Sequence, residues 1–396
     1  MDLIYLDHHA TTPIDSRVLE AMMPVLTSAY GNAGSRFHPL GLEARGRVDR
    51  ARGEVAALIG AEPSEIIFTS GATESNNLAL FGVAEFQAER GRHIITCATE
   101  HHAVLDPIRA LERRGYEVTL APVDREGRLD LDIFERLLRP DTILVSLMAA
   151  NNETGVLFPM ERIGALTRAR GITLHCDASQ AVGKIPVDVE AWQVDLLSLS
   201  GHKMGAPKGV GALYLRRRKP RAHLAAVQFG GGQELGLRSG THNVPGIVGL
   251  GVASVLAKAE LAGRAARMRH LRDRLWQGLQ RAIPEVHLNG PMNFDERLPN
   301  NLNVEFRCCE AQSILMEAAQ RVACSPGSAC TSDNTEPSHV LMGMGLSREA
   351  AISSLRFGVS HTNTEEEIDA VPGLLAGPVA HLRAMSPMWR REYAQV

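Results

Sequence analysis

The chain has 396 residues, of which 44% are hydrophobic and 22% are charged. A chain of this size and composition can bury a large core and is expected to form two domains. Its formal net charge of -3 provides no general attraction to nucleic acid, and no run of about 18 unbroken apolar residues predicts a membrane span. Because the N-terminus lacks a basic region before its short apolar piece, we expect the protein to remain in the cytoplasm.

The hydrophobic pattern first predicts a helix over residues 16–30 with Asp15 as its N-cap, and a second helix over 42–59 that is closed by Gly60. Strand-like apolar segments follow, mostly separated by helical stretches, at 65–69, 93–97, 117–123, 142–149, 172–176, 194–199 and 210–215. This alternation predicts an α/β fold with a largely parallel sheet and helices on both of its faces.

The pattern after this sheet predicts a second, smaller domain. A long helical stretch at 244–283, rich in Ala, Leu and Arg, leads out of the large domain. Beyond it lie the predicted elements of an α+β unit, namely a strand at 302–306, a helix at 310–320, a strand at 353–357 and a helix at 364–375. We therefore predict a large domain over residues 15–260 and a small domain formed by residues 1–14 and 261–396.

Lys203 follows the apolar segment 194–199 and stands in the sequence Ser-Gly-His-Lys at 200–203. A buried strand thus delivers a lysine to the edge of a sheet, among small residues and a histidine. Desolvation lowers the pKa of such an amine, which makes Lys203 a candidate for Schiff-base formation with a carbonyl compound. Taken alone, the same residues also fit a surface lysine in a glycine-rich turn.

Asp177 follows another apolar segment, 172–176, in the sequence Asp-Ala-Ser-Gln. Acids at strand ends in α/β proteins face the crevice where ligands bind. A carboxylate in that position can keep the ring nitrogen of pyridoxal phosphate protonated, and Gln180 can bond the ring hydroxyl. The alternative for Asp177 is the N-cap of a helix.

The strand segment 65–69 runs into Gly-Ala-Thr-Glu-Ser-Asn-Asn at 71–77, a small-residue turn that opens a helix. Free backbone N–H groups, the helix dipole and the hydroxyl groups there suit a phosphate. The same residues also satisfy an ordinary helix N-terminus with Glu74 in its first turn.

The six cysteines form neither a disulfide-scaffold pattern nor a Cys-x-x-Cys pair, so no structural zinc site and no metal is predicted. Cys97 and Cys176 lie inside strand segments and are predicted to be core residues. Cys308 and Cys309 are predicted to lie at a strand end or in a loop, without a catalytic part. Cys330 stands among small residues in a loop that can carry its thiol toward a ligand, although its neighbours alone indicate an ordinary exposed thiol.

Six motifs in this order closely resemble those of the cysteine desulfurases, which are pyridoxal-phosphate enzymes of the class V aminotransferase group with the aspartate aminotransferase fold (fold type I). The motifs are Ser-Gly-Ala-Thr-Glu-Ser-Asn-Asn (70–77), Thr-Glu-His-His (99–102), Asn-Asn-Glu-Thr-Gly (151–155), Asp-Ala-Ser-Gln (177–180), Ser-Gly-His-Lys (200–203) and Arg-Ser-Gly-Thr (238–241). The resemblance covers nearly the whole chain, from Tyr-Leu-Asp at 5–7 to Ser-Pro-Met-Trp at 386–389.

The sequence Gly-Ser-Ala-Cys-Thr-Ser at 327–332 resembles the stretch that carries the catalytic cysteine in the first of the two desulfurase groups, that of the housekeeping and nitrogen-fixation enzymes. Cys324 and Pro326 stand where relatives usually have a small residue and a serine. Pro326 fixes its own φ angle and biases Ser325 toward extended backbone, so we expect a stiffer loop here.

The resemblance implies conversion of L-cysteine to L-alanine. It implies that Lys203 bonds the cofactor and then moves the α-proton, that His101 lies against the ring and helps to move protons, and that Cys330 attacks the substrate sulfur and keeps it as a persulfide. Arg356 is expected to bind the substrate carboxylate, a duty that Asn152 shares or exchanges for the ring hydroxyl. The implied cofactor ligands are the backbone of Ala72 with Thr73, His101, Asn152, Asp177, Gln180, Ser200, His202, Lys203 and Thr241. Thr241 resembles a residue that relatives lend across a subunit boundary, which implies a homodimer.

Other functions fit some of the same residues. An aminotransferase or a selenocysteine lyase would share Lys203, Asp177 and His101, and only the aminotransferase could dispense with Cys330. A non-catalytic sulfur-assembly platform is a third alternative, against which the complete cofactor set argues.

The destination of the sulfur stays open between an iron–sulfur scaffold protein, a tRNA-modifying enzyme and the machinery that places sulfur in the DNA backbone. The segment 31–36 weakly resembles the last branch, although the net charge favours no direct contact with nucleic acid. Apolar residues at 382–389 fit a docking surface for an acceptor protein and equally fit a cover for the large domain.

Overall fold

The computed structural model describes residues 3–326 and 336–393. The helices in these residues are α1 (Ser16–Thr27), α2 (Pro39–Ile59), α3 (Ala72–Phe86), α4 (His102–Glu112), α5 (Leu131–Leu137), α6 (Met160–Ala169), α7 (Val244–Ala282), α8 (Ala311–Ala318), α9 (His339–Gly343), α10 (Arg348–Ile352), α11 (Glu365–Met385) and α12 (Pro387–Tyr393). The strands are β1 (Ile4–Tyr5), β2 (Ile66–Thr69), β3 (His93–Cys97), β4 (Glu117–Ala121), β5 (Thr142–Met148), β6 (Thr173–Asp177), β7 (Leu196–Ser200), β8 (Gly211–Leu215), β9 (Val286–Leu288), β10 (Asn301–Phe306), β11 (Val322–Ala323), β12 (Ser325–Pro326) and β13 (Ser354–Gly358).

Strands β2 to β8 form a seven-stranded sheet in the order β2-β8-β7-β6-β5-β3-β4. The pairs from β4 to β7 are parallel, whereas β8 runs antiparallel to both β7 and β2. Every residue of β5, β7 and β8 is buried, as expected for strands covered by helices on both faces. The prediction of an α/β fold with a largely parallel sheet is confirmed.

Most predicted elements are present, and the differences at their ends have physical reasons. The α2 helix begins three residues before the predicted start, because Pro39 suits the first helical position and the His38 ring accepts a hydrogen bond from Gly41 N. The α11 helix continues through Pro372 and Pro378 to Met385, whereas the prediction ends at 375. Burial of its apolar face in the core outweighs the local cost of the two prolines.

Separate hydrophobic clusters surround the seven-stranded sheet and a four-stranded antiparallel sheet of order β12-β13-β10-β9. The N-terminal strand β1 pairs with β11, which places Ile4 in the second cluster. The α7 helix contributes Leu250 to the first cluster and Leu271 to the second, so one continuous helix connects them. The predicted domain boundary at residue 260 falls inside this helix and stays a prediction.

The α7 helix is long and apolar enough to cross a membrane by length and composition alone. Half of its most apolar window is buried, and the helix packs against α1, α2 and α11. A core helix of a globular protein has the same properties, so we infer no membrane span from it.

Candidate active site

A cavity of about 460 Å³ lies at the carboxyl ends of β6 and β7. The sequence-predicted residues in its lining are Ala72, Thr73, His101, Asn152, Asp177, Gln180, Ser200, His202 and Lys203. Motifs that are far apart in the sequence therefore meet in one place, as the carboxyl ends of neighbouring parallel strands do. Thr241 does not belong to this lining and is exposed.

Asp177 is the last residue of β6 and is held by fixed donors. Asn76 Nδ2 on α3 donates to Asp177 Oδ2 at 2.7 Å, and the backbone N–H of Ser179 donates to Oδ1 at 2.9 Å. A turn rather than a helix follows Asp177, so its side chain faces the cavity as a strand-terminal acid and does not cap a helix.

His175 lies two residues before Asp177 on β6 and is fully buried. Its Nδ1 is 2.9 Å from Ser146 Oγ on β5, and its Nε2 is 3.0 Å from Ser198 Oγ on β7. Burial lowers the pKa of the imidazole below its ordinary value. This ring is therefore a neutral hydrogen-bonded link between three strands beneath the cavity.

We expect the His175→Gln variant to weaken the pH dependence of apoprotein stability below about pH 6.5, the ordinary pKa of histidine. The native ring stays neutral there while the unfolded chain takes up the proton, so the free energy of unfolding of the natural protein falls as pH falls. Thermal melts at several pH values measure the slope. The exposed His287 provides a matched His287→Gln control. If the stability of His175→Gln changed with pH as steeply as that of the natural protein, His175 would be ruled out as a source of the pH dependence.

The N-terminus of α3 offers donors at one end of the cavity. Gly71 is the N-cap with a φ of 151°, a conformation that favours glycine, and the N–H groups of Ala72 and Thr73 belong to the unsatisfied first turn. Glu74 Oε2 accepts from Ser70 N at 2.7 Å. Helix capping and phosphate binding are therefore compatible at this turn.

His202 lies beside this turn, with its Nδ1 3.1 Å from Thr11 Oγ1. Burial and the neighbouring Lys203 lower the pKa of His202 to about 4, so the ring is neutral at pH 7. Together with the hydroxyl of Ser200, the ring adds a side-chain donor to the backbone donors of α3.

Lys203 is the last residue of the short 3₁₀ turn Gly201–Lys203 that follows β7, and its Nζ donates a hydrogen bond to the carbonyl oxygen of His9. On the other side of the cavity, His101 caps α4 through Nδ1, which accepts from Ala103 N at 3.0 Å. The neutral ring of His101 therefore carries its proton on Nε2. Burial lowers the pKa of His101 from its ordinary value, which keeps the ring neutral at pH 7.

Arg356 on β13 is almost completely buried beside the Asn152 loop. One guanidinium nitrogen donates to the Asn152 carbonyl at 3.0 Å and another to Asp7 Oδ1 at 3.0 Å. Arg356 Nε and Asn152 Oδ1 are buried and have no hydrogen-bond partner among residues 3–326 and 336–393. These unsatisfied polar atoms are suited to a small polar ligand such as an amino acid.

These residues fit pyridoxal phosphate. The α3 N-terminus with Ser200 provides donors for a phosphate, the Asp177 carboxylate suits a protonated ring nitrogen, and the Lys203 amine suits an aldehyde. No group of three or more His, Cys, Asp or Glu residues in the described part of the chain is arranged to hold a metal ion. Cys97 and Cys176 are fully buried, as predicted, whereas Cys330 lies outside the described residues.

The segment that bears Thr241 is anchored by two arginine–glutamate ion pairs. Arg238 Nε donates to Glu74 Oε1 at 2.6 Å, and the buried Glu234 accepts from Arg52 and from His242 Nε2, both at 2.6 Å. These pairs hold the segment against α2 and the first turn of α3.

Sequence reasoning did not single out several residues that shape the site. Asn76 and Asp7 hold Asp177 and Arg356, and Lys184 bonds to Gln180. Glu153 is fully buried, accepts from the hydroxyl of Ser338, and has a pKa that burial raises to about 7. In the sequence, each of these residues is visible only as a polar residue inside or beside an apolar segment. That signal does not show which residue its side chain contacts.

The family model of class V aminotransferases matches residues 4–371 of the chain. The cysteine desulfurase IscS of Anaeromyxobacter dehalogenans (strain 2CP-C) is 54% identical over 386 residues, which are 98% of this chain and 95% of that protein. A solved NifS-like protein has a TM-score of 0.89 at 39% identity and covers 96% of this chain and 100% of its own.

The crystal structure of DndA from Streptomyces lividans has a TM-score of 0.76 at 44% identity and covers 90% of this chain and 99% of its own. The resemblance stated from the motifs is thus confirmed over nearly the whole chain. The chain belongs to the class V aminotransferases of fold type I and, among these pyridoxal-phosphate-dependent enzymes, to the cysteine desulfurases.

Proposed function

We propose that this protein converts L-cysteine to L-alanine and retains the sulfur as a persulfide on Cys330 before an acceptor takes it. The observation that carries this proposal is one cavity in which Lys203, from the turn after β7, meets the strand-terminal acid Asp177 and the half-buried His101. The high identity to cysteine desulfurases over the same span supports the choice of substrate.

Pyridoxal phosphate, when bound, supplies an electron sink that makes the Cα proton of an amino acid acidic. The N-terminus of α3 would hold its phosphate, and Asn76 and Ser179 keep the Asp177 carboxylate oriented toward the ring. Arg356 and Asn152 bind the substrate carboxylate, because a charge-assisted contact from a guanidinium both orients and stabilises that group.

Lys203 Nζ takes the proton from the substrate Cα, and His101 Nε2 lies in the same cavity to move a proton onward. The Cys330 thiolate then attacks the substrate sulfur. A sulfur–sulfur bond forms as the Cβ–sulfur bond breaks, and the electron pair remains on carbon, which takes up a proton. Alanine leaves, and the persulfide stays on the protein until a thiol acceptor removes the outer sulfur.

We also propose a cytoplasmic homodimer and an iron–sulfur scaffold protein as acceptor. The exposed Thr241 lies on an anchored segment that also exposes Phe229 (83%) and Leu235 (62%), and covering such residues favours association. The described cysteines form no disulfide, which suits a reducing compartment. The two hydrophobic clusters support the proposed division into residues 15–260 and residues 1–14 with 261–396.

The test is a product analysis. Purified protein loaded with pyridoxal phosphate and given L-cysteine and a thiol reductant should release alanine and sulfide in equal amounts. An aminotransferase would instead require a keto-acid acceptor and leave a keto acid, a selenocysteine lyase would act on selenocysteine alone, and an assembly platform would release neither product. Any of these three results would contradict the proposal.

A further inference from the structure

Lys184 is a buried lysine that the proposed reaction does not use. The residue is almost completely enclosed, at 4% exposure, and it forms no salt bridge with a carboxylate of the described residues; the charges that act on it are those of Lys203 and Arg356. Its Nζ donates to Gln180 Oε1 at 3.0 Å and to the Gln180 carbonyl at 3.2 Å. Burial lowers the pKa of this amine to about 7, so enclosing it is costly and calls for a compensating role.

The hydrogen bonds around His9 determine which way the Gln180 amide points. Asn301 Nδ2 donates to the Glu153 carbonyl at 2.9 Å and lies 3.2 Å from His9 Nε2, so this ring nitrogen is the acceptor. The neutral His9 ring therefore carries its proton on Nδ1, which donates to Gln180 Oε1 at 3.0 Å. Two donors, His9 Nδ1 and Lys184 Nζ, therefore bond to Gln180 Oε1 and hold it in place.

The Nε2 amide group of Gln180 donates one N–H to the His9 carbonyl at 2.9 Å. Its second N–H forms no hydrogen bond within the described residues, and Gln180 lines the cavity that also contains Asp177 and Lys203. The same His9 carbonyl accepts from Lys203 Nζ. Lys184, Gln180, His9 and Lys203 are therefore joined by consecutive hydrogen bonds.

We propose that Lys184 is a positioning residue, which holds Gln180 Oε1 away from the cavity so that Gln180 presents an N–H donor to the ring oxygen of pyridoxal phosphate. This inference rests on the proposed function, because it concerns the same cofactor site. A donor stabilises an ionised ring oxygen, whereas a rotated amide would place Oε1 against it and leave both groups unsatisfied.

A double-mutant cycle separates this role from a direct effect of the lysine charge on the cofactor. The four proteins are the natural chain, Lys184→Met, Gln180→Ala and the double variant. The measurements are the Kd of apoprotein for pyridoxal phosphate and the visible absorbance maximum of the bound cofactor. Lys258→Met removes an exposed lysine, whose Nζ bonds to the Ala57 carbonyl, and is the control for net charge.

We expect Lys184→Met to weaken cofactor binding about 10-fold and to shift the absorbance maximum, because one charge-assisted hydrogen bond is lost. In the Gln180→Ala background the same change should weaken binding by less than about 2-fold, since coupled residues are not additive. The inference would be overturned if Lys184→Met weakened cofactor binding equally in the natural and the Gln180→Ala backgrounds. It would also be overturned if Lys184→Met alone left cofactor binding unchanged.

If Lys184→Met does not fold, the Gln180→Glu variant tests the inference through the Gln180 donor. The carboxylate keeps an oxygen against Lys184 but replaces the Nε2 donor with a second oxygen, so we expect at least the loss that Gln180→Ala shows. Binding as tight as that of the natural protein would contradict the inference. Failure of the proposed function would be distinct, since the natural chain itself would then bind cofactor and yet form no alanine from L-cysteine.

Discussion

The Lys203→Ala variant is expected to lose at least about 10³-fold in kcat for alanine formation from L-cysteine, the range found when a group that transfers a proton in the transition state is removed. Lys203 is placed at the end of β7, and its Nζ is fixed by the His9 carbonyl at the cavity. The alanine side chain at position 203 has no amine that can take the Cα proton of the substrate. Steady-state assays with saturating pyridoxal phosphate measure the effect.

Lys208 provides the matched comparison for this variant. It lines the same cavity but is exposed, and the account gives it no part in proton transfer. Thermal melts of both variants show whether the fold is retained. The role assigned to Lys203 would be contradicted if Lys203→Ala kept a tenth or more of the natural rate. It would also be contradicted if Lys208→Ala lost as much activity as we expect Lys203→Ala to lose.

The Cys330→Ser variant is expected to form alanine and sulfide at less than about 1% of the natural rate, because the nucleophile that accepts the sulfur is gone. Its Kd for pyridoxal phosphate should equal that of the natural protein, since the proposed cofactor ligands lie elsewhere in the chain. Product analysis and a cofactor titration on the same preparation separate the two properties.

Cys308→Ser is the control, because this cysteine is half-buried after β10 and carries no proposed role. Cys324 is a less suitable control, because it lies only six residues before Cys330 in the sequence. It is also partly buried, and burial raises the pKa of its thiol. If alanine formation persisted in Cys330→Ser, the chain would act as an aminotransferase or through another thiol.

The sequence predicted the fold wherever the signal was local. The apolar runs that become β6 and β7 are continuous and buried, so their ends and the residues Asp177 and Ser200 were placed within one or two positions. The antiparallel direction of β8 could not be predicted in this way, because periodicity reports burial and not the direction of a neighbour. The extension of α11 past Pro372 likewise depends on its packing in the core.

For the site, single residues could be predicted and their partners could not. Asp177 and Lys203 follow apolar runs, which is a local signal. Asn76, by contrast, reaches Asp177 over a separation of 101 residues, and Asp7 reaches Arg356 over 349. Such contacts arise from the packing of distant elements, and one sequence contains no local trace of them.

Mass analysis of the peptide that contains Cys330, after brief exposure to L-cysteine without reductant, is the most direct test of persulfide formation on this residue. We expect one additional sulfur atom on Cys330 and one alanine released for each sulfur retained. Sulfur on a different cysteine, or alanine released while the Cys330 thiol stays unmodified, would contradict it.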